Sequence, residues 1–272
     1  MAQATREPLP SLRRYVRRYF AFTESAPGPV RRIEGPGTDV IVVLSFGPEW
    51  WIGDATEAGG ETACVTSFVA GLHDHAVTTE HAGRSDGMQI SFTPPGASAL
   101  FGLPLHELAG RTVPLDDVFG VDGLVPLERL AALGTAAERF DVLDECLRIR
   151  LARRRPEAAE GVAHAWRCLH ASRGRARIAS IADDLGWSRK RLALRFREQV
   201  GVSPKTLARL IRYERAASEL GHGSTTDLAR VAAACGFFDQ AHLTNEFRRI
   251  RGTTPAAYVR ETNLQDGEAA AA

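Results

Sequence analysis

Apolar and polar positions along this chain follow two different rhythms. Between residues 38 and 95 the apolar residues are largely β-branched, come in short runs and are punctuated by Gly and Pro, which predicts strands. The segments are TDVIVVLSF, ACVTSFVAGL, HAVTTEHAG and GMQISFTPPG. Residues 97–110 and 125–153 read as helical. In the second of these, Phe140, Leu143, Leu147 and Leu151 recur at three- and four-residue steps, one apolar face of a helix. That stripe is expected either to pair two copies of the chain or to pack on its own domain. Downstream the strands vanish. AEGVAHAWRCLHAS, with Val162, Trp166 and Leu169 on one face, opens a series of helices that runs to about Arg260.

The helical part carries one skeleton twice. From Leu192, Phe196 lies at +4, Gly201 at +9 and Pro204 at +12; from Leu243, Phe247, Gly252 and Pro255 lie at the same offsets. Upstream stand IASIADDLG and LARVAAACG. Apolar residues fall at −8, −5 and −1 from each glycine: Ile178, Ile181 and Leu185, then Leu228, Val231 and Cys235. Ala182 and Ala232 sit at −4. Each copy therefore reads as a short helix with one buried face, a glycine at its C-terminus and a second helix. Ser188 and Asp239 are the expected N-caps. This is the helix-turn-helix layout, whose second helix enters the DNA major groove. At 100° per residue, Lys190, Leu194 and Arg197 point away from the core in the first unit, flanked by Arg191 and Glu198. In the second unit Ala241, Asn245 and Arg248 do so, flanked by His242 and Arg249. The Asn245 amide can bond an adenine edge bidentately. The candidate DNA-binding residues are Arg189, Lys190, Arg191, Leu194 and Arg197, with Gln240, Ala241, His242, Asn245, Arg248 and Arg249. The simpler alternative is a plain helical bundle with solvated arginines.

Charge sharpens the choice. The net charge of +1 hides a split: residues 1–149 carry 12 Lys+Arg against 20 Asp+Glu, residues 150–263 carry 22 against 11, and the last nine residues add two acids. An acidic half joined to a basic half points to one part that meets a polyanion and one that does not. Composition is otherwise that of an ordinary globular chain, with 44% hydrophobic and 25% charged residues over 272 positions. No apolar run is long enough for a membrane span, and MAQATREPLP lacks the apolar core of a secretory signal, so a cytoplasmic protein is expected. Cys64, Cys146, Cys168 and Cys235 form no CxxC pair and read as reduced core residues.

Residues 160–260 resemble the DNA-binding domain of the AraC/XylS family of bacterial transcription regulators, most specifically in GFFDQAHLTNEFRRIRGTTPAAYVR. In that family two helix-turn-helix units are joined by a long helix, here SPKTLARLIRYERAASEL, so that two recognition helices about one DNA turn apart read adjacent major grooves. The family commonly has an arginine two residues after the anchoring leucine of each recognition helix. Leu194 and Asn245 stand there in this chain, so the family's base preference does not carry over. The resemblance implies an α+β fold: an N-terminal β-rich, barrel-like sensing or dimerising domain over 1–153, then an all-α double helix-turn-helix domain over 157–263, with the boundary in RLARRRPEAAEG. Residues 264–272 are expected to be a disordered tail. The implied partners are double-stranded DNA, RNA polymerase, a small-molecule effector and a second copy of the chain. No cofactor is expected.

The N-terminal half offers weaker signals. His73, His75, Glu80 and Gly87 have the spacing H-x-H-x4-E-x6-G, which resembles the first metal motif of the cupins. On a strand the two histidines would share a face. The second motif is expected near PPGASA, but Ala99 occupies the place of the ligand histidine, and polar residues on a strand or loop are the simpler reading. No metal is therefore expected. Trp50, Trp51, His73 and His75 are the candidate ligand-pocket residues. Two other functions compete with a transcription regulator. One is an enzyme fused to a DNA-binding domain, such as an alkylation-repair methyl acceptor with Cys64 as nucleophile, although an apolar strand keeps a thiol protonated. The other is an architectural DNA binder without an effector.

Overall fold

The computed structural model describes residues 2–56, 62–120, 123–153, 160–221 and 227–262. The expected tail at 264–272, and residues 154–159 of the expected boundary segment, lie outside them.

The N-terminal part opens with nine strands: β1 (Ala2–Arg6), β2 (Val16–Ser25), β3 (Val30–Glu34), β4 (Val40–Ser45), β5 (Trp50–Asp54), β6 (Thr62–Val65), β7 (Phe68–Ala70), β8 (Val77–His81) and β9 (Arg84–Phe92). Helix α1 (Pro94–Phe101), a 3₁₀ turn at Leu105–Glu107, β10 (Thr112–Pro114), α2 (Leu115–Phe119), α3 (Leu127–Ala132) and α4 (Ala136–Arg153) follow. The strands form a six-stranded sheet, in order β1-β2-β9-β4-β7-β10, and a four-stranded sheet, in order β3-β8-β5-β6. The barrel-like, β-rich expectation holds.

Strand β4 shows why its near-continuous apolar run belongs in the middle of the larger sheet. Its period of two sends Val40, Val42 and Leu44 to one face and Ile41 and Val43 to the other. The first set packs under α1 and α4; the second packs with Ile52, Val65 and Phe68 between the two sheets. Both faces are covered, so alternation with polar residues is not required.

Helix α4 closes the outer face of the six-stranded sheet, and here the pairing expectation is corrected. Phe140, Leu143, Leu147 and Leu151 are 3%, 0%, 0% and 8% exposed, in one cluster with Tyr19, Ile90 and Phe92. The stripe is spent on the chain's own core, so these four residues are not free to pair two copies. Asp144 pins the helix from the same side. It accepts hydrogen bonds from Tyr19 Oη at 2.8 Å, Arg6 Nη2 at 2.6 Å and the Leu9 backbone N–H at 3.2 Å, which compensates the burial of its charge.

The C-terminal part is all helical: α5 (Glu160–Ala171), α6 (Ile178–Asp184), α7 (Arg189–Val200), α8 (Pro204–Gly221), α9 (Leu228–Cys235) and α10 (Gln240–Arg251). It holds two cores that share α8. Leu207, Leu210 and Ile211 pack with Ile181, Leu192 and Phe196; Tyr213, Ala216 and Leu220 pack with Val231, Leu243 and Phe247. One helix thus anchors both units and fixes their spacing.

Candidate DNA interface and internal cavity

Each recognition helix begins on the cap that its sequence specifies. Ser188 Oγ accepts the Arg191 N–H at 3.1 Å, and Asp239 Oδ1 accepts the His242 N–H at 2.7 Å. Gly186 and Gly236 precede them with φ of 62° and 81°, the left-handed geometry that ends α6 and α9 and makes the tight turn. Leu192 with Phe196, and Leu243 with Phe247, then fasten α7 and α10 to their partners with no exposed surface.

The opposite faces are bare. Arg189, Lys190, Arg191, Leu194 and Arg197 on α7, and Gln240, Ala241, His242, Asn245, Arg248 and Arg249 on α10, are all exposed. Leu194, at 60% exposure, is an apolar side chain presented to water amid cations. Among the described residues, Arg195 finds Glu198 at 2.9 Å, whereas Arg189, Lys190, Arg191, Arg197, Arg248 and Arg249 have no carboxylate within ion-pair distance. Three of these cations open α7, where the helix dipole disfavours positive charge. A bound phosphate at that end would reverse the balance. The Arg191 guanidinium also lies 4.7 Å over the Trp187 ring, which holds it beside the turn.

Between the two sheets lies a cavity of 520 Å³. It brings together Trp50, His73 and His75, with Phe22, Ile41, Val43 and Phe68 forming apolar walls. Trp51 is set apart from them. The strand alternation that turns Trp50 inward turns Trp51 outward, where it is 38% exposed. Among the cavity walls that sequence reasoning missed is Glu214 of α8. Thr38 Oγ1 donates to Glu214 Oε2 at 3.0 Å, so the cavity mouth is closed by the helix that carries both helix-turn-helix units. No local pattern marks this residue; only the packing of the two halves places it. Burial raises the Glu214 carboxyl above its ordinary value, against the Thr38 hydrogen bond.

The cupin-like spacing does not build a metal site. His73 and His75 lie in the loop after β7, not on a strand. His73 Nδ1 is 2.9 Å from the Gly71 carbonyl, and His75 sits 3.3 Å from both Asp54 and Asp74. PPGASA forms the start of α1, capped by Thr93, and Ala99 is buried in the core. Among the described residues no group of three or more His, Cys, Asp or Glu is placed to hold a metal. Cys64 is exposed on β6 at the end of the smaller sheet rather than packed in an apolar interior. No helix among the described residues is long and apolar enough to cross a membrane.

Comparison with known proteins agrees with the two-part layout. Residues 181–261 match a family described as a helix-turn-helix domain, and residues 4–114 match a domain of unknown function, DUF6597. A Streptomyces lividans protein, provisionally described as an AraC-like transcription regulator, is 35% identical over 133 residues, 45% of this chain. The match spans only 43% of that relative's length. Among solved structures, ToxT from Vibrio cholerae is 12% identical over 89% of this chain and 97% of its own, with a TM-score of 0.48. The C-terminal domain of AraT, a response regulator from Geobacillus stearothermophilus, is 24% identical over 38% of this chain and 86% of its own, with a TM-score of 0.35. The doubled unit and the shared α8 fall almost wholly within the part of the chain that matches the helix-turn-helix domain family, and the chain is similar over 133 residues to a protein described as AraC-like.

Proposed function

We propose that this protein is a sequence-specific DNA-binding transcription regulator of the cytoplasm, not an enzyme, with duplex DNA and RNA polymerase as its partners and residues 1–153 as its sensing domain. The observation that carries the reading is the pair of capped helices α7 and α10, each with a bare face of unpaired cations or amides, held on the single helix α8. Solvated arginines alone do not explain cations gathered at the N-terminus of α7, where they weaken the helix. Lys190 and Asn245 read bases in this proposal, Leu194 contacts a thymine methyl, and Arg249 engages phosphate.

The cavity between the sheets supports a small-molecule input over a purely architectural role, because its mouth is walled by α8 itself. The burial of the α4 stripe favours a monomer that binds each half-site alone. Genome-wide footprinting of the full-length protein, followed by gel shifts on the recovered sites, tests the reading. Affinity should fall steeply with salt as counterions are released. Absence of any salt-sensitive site preference would refute it.

A further inference from the structure

The cavity has two distinct ends. The outer end is the mouth at Thr38 and Glu214. The inner end lies where β2, β5, β8 and β9 pair, with Glu24 opposite Ser85 and Trp50 opposite His81. Two groups at this inner end are unsatisfied. Trp50 and Ser85 line the cavity, and the buried Trp50 Nε1 and Ser85 Oγ have no hydrogen-bond partner among the described residues. Ser85 is only 4% exposed. A buried polar group without a partner costs roughly 1–3 kcal/mol, so such groups mark where a ligand atom belongs. The indole N–H is a donor only, which requires an acceptor opposite it.

Acids and bases pair at both ends, and the exposed Glu34 adds a further carboxylate to the lining. At the inner end Arg32 Nη2 donates to Glu24 Oε1 at 2.6 Å, and His81 Nε2 lies 3.1 Å from Glu24 Oε2. The Gly83 N–H donates to His81 Nδ1 at 3.3 Å, and Arg32 Nη1 lies 3.5 Å from His81 Nε2. The Arg32 guanidinium and the Glu24 carboxylate thus face each other at this end. At the mouth Arg17 holds Asp39 at 2.6 Å, and the exposed Arg18 faces the field of Glu214. A charged ligand would leave one of these sets unbalanced in a poorly hydrated space.

We propose that the cavity binds an uncharged, largely apolar small molecule whose hydroxyl or carbonyl oxygen accepts from Trp50 Nε1 and pairs with Ser85 Oγ. Its apolar body lies along Phe22, Ile41, Val43 and Phe68 toward the mouth at Glu214. A volume of 520 Å³ suits a molecule of ten or more carbon atoms. This inference rests on the sensing role given to residues 1–153, and it names the ligand class.

The test uses the full chain and three probes of equal length: 1-decanol, decanoate and decylammonium. Binding is followed by thermal shift and by quenching of tryptophan fluorescence. Decanol should raise the midpoint and the two ions should bind at least tenfold more weakly. Trp50→Phe combined with Ser85→Ala should weaken decanol about five- to tenfold, the loss expected for hydrogen bonds to a neutral group. Ser85→Ala alone, which only removes an atom, replaces the double variant if that fails to fold. Decanoate or decylammonium binding as tightly as decanol overturns the proposal. So does decanol affinity unchanged in the variants, or no decanol binding up to its solubility. Gel shifts on the same preparations keep the readings apart: site-specific DNA binding without decanol binding removes only the ligand class, and decanol binding without DNA binding removes only the regulator.

Discussion

The backbone N–H of Ala76 donates to the carbonyl of Ile250 at 2.6 Å, which ties the loop after β7 to the last turn of the second recognition helix. The same loop is tied twice more. Arg209 of α8 donates to Asp74 at 2.9 Å, and Leu72 is buried in the core of the first helix-turn-helix unit. Its other side, through His73 and His75, lines the cavity. One short loop therefore touches both the candidate ligand space and the helix-turn-helix half, a contiguous physical route for coupling.

Asp74→Ala should loosen this tie without unfolding either half. Asp74 is half exposed, so its pair with Arg209 contributes little stability, at most about 1 kcal/mol. The expected outcome is a nearly unchanged melting midpoint with faster hydrogen exchange at the Ala76 amide relative to Val42 in the sheet centre. An unchanged exchange ratio would show that the loop is held without the Asp74 contact.

Leu147→Glu should unfold the N-terminal part. Leu147 has no exposed surface, so the substitution places an unpaired carboxylate inside a packed core, at a cost of several kcal/mol. Circular dichroism should show lost structure at 25 °C or a collapsed thermal midpoint. A folded variant that merely sediments differently from the native chain would mean the stripe is a contact between copies after all.

The C-terminal half was legible because its information is local. Caps, positive-φ glycines and the Leu/Phe spacing act within a dozen residues, and Ser188, Asp239, Gly186 and Gly236 do what their residue types predict. The N-terminal half depends on distant pairings. β2 lies outside the stretch with strand signals, its apolar run interrupted by Arg17 and Arg18, yet it pairs along its length with β9. The alternation that puts Trp50 inside also puts Trp51 outside, and composition alone treats the two alike. Ser85 and Glu214, from β9 and α8, meet the same cavity only once the sheets and the two halves have closed.

His170 should make stability fall in mild acid. Burial, with the nearby positive Arg17, pushes its imidazole down to about 4, from 6.5 in the unfolded chain. Between those values the unfolded state binds a proton that the folded state rejects, so stability is full above pH 6.5 and declines as pH falls toward 4. Urea midpoints across that window should drop for the native chain and drop less for His170→Phe, which keeps a ring beside Trp166. Parallel curves would show that His170 is not the group responsible.

Asn245 and Arg249 separate base reading from backbone attachment on one helix. Both are exposed on α10, and Arg249 has no carboxylate partner among the described residues. Asn245 carries an amide whose donor and acceptor match an adenine edge, a geometry that random sequence offers only by chance. Asn245→Ala should weaken the cognate site by about 1–3 kcal/mol and random duplex much less. Arg249→Ala should weaken both alike and lower the slope of log affinity against log salt by about one, because one phosphate contact is lost. Titrations at three salt concentrations on a footprinted site and a scrambled duplex distinguish the two. Equal losses on both duplexes for Asn245→Ala would make it a positioning contact, and the burden of sequence reading would then fall on Lys190 and Leu194 of α7.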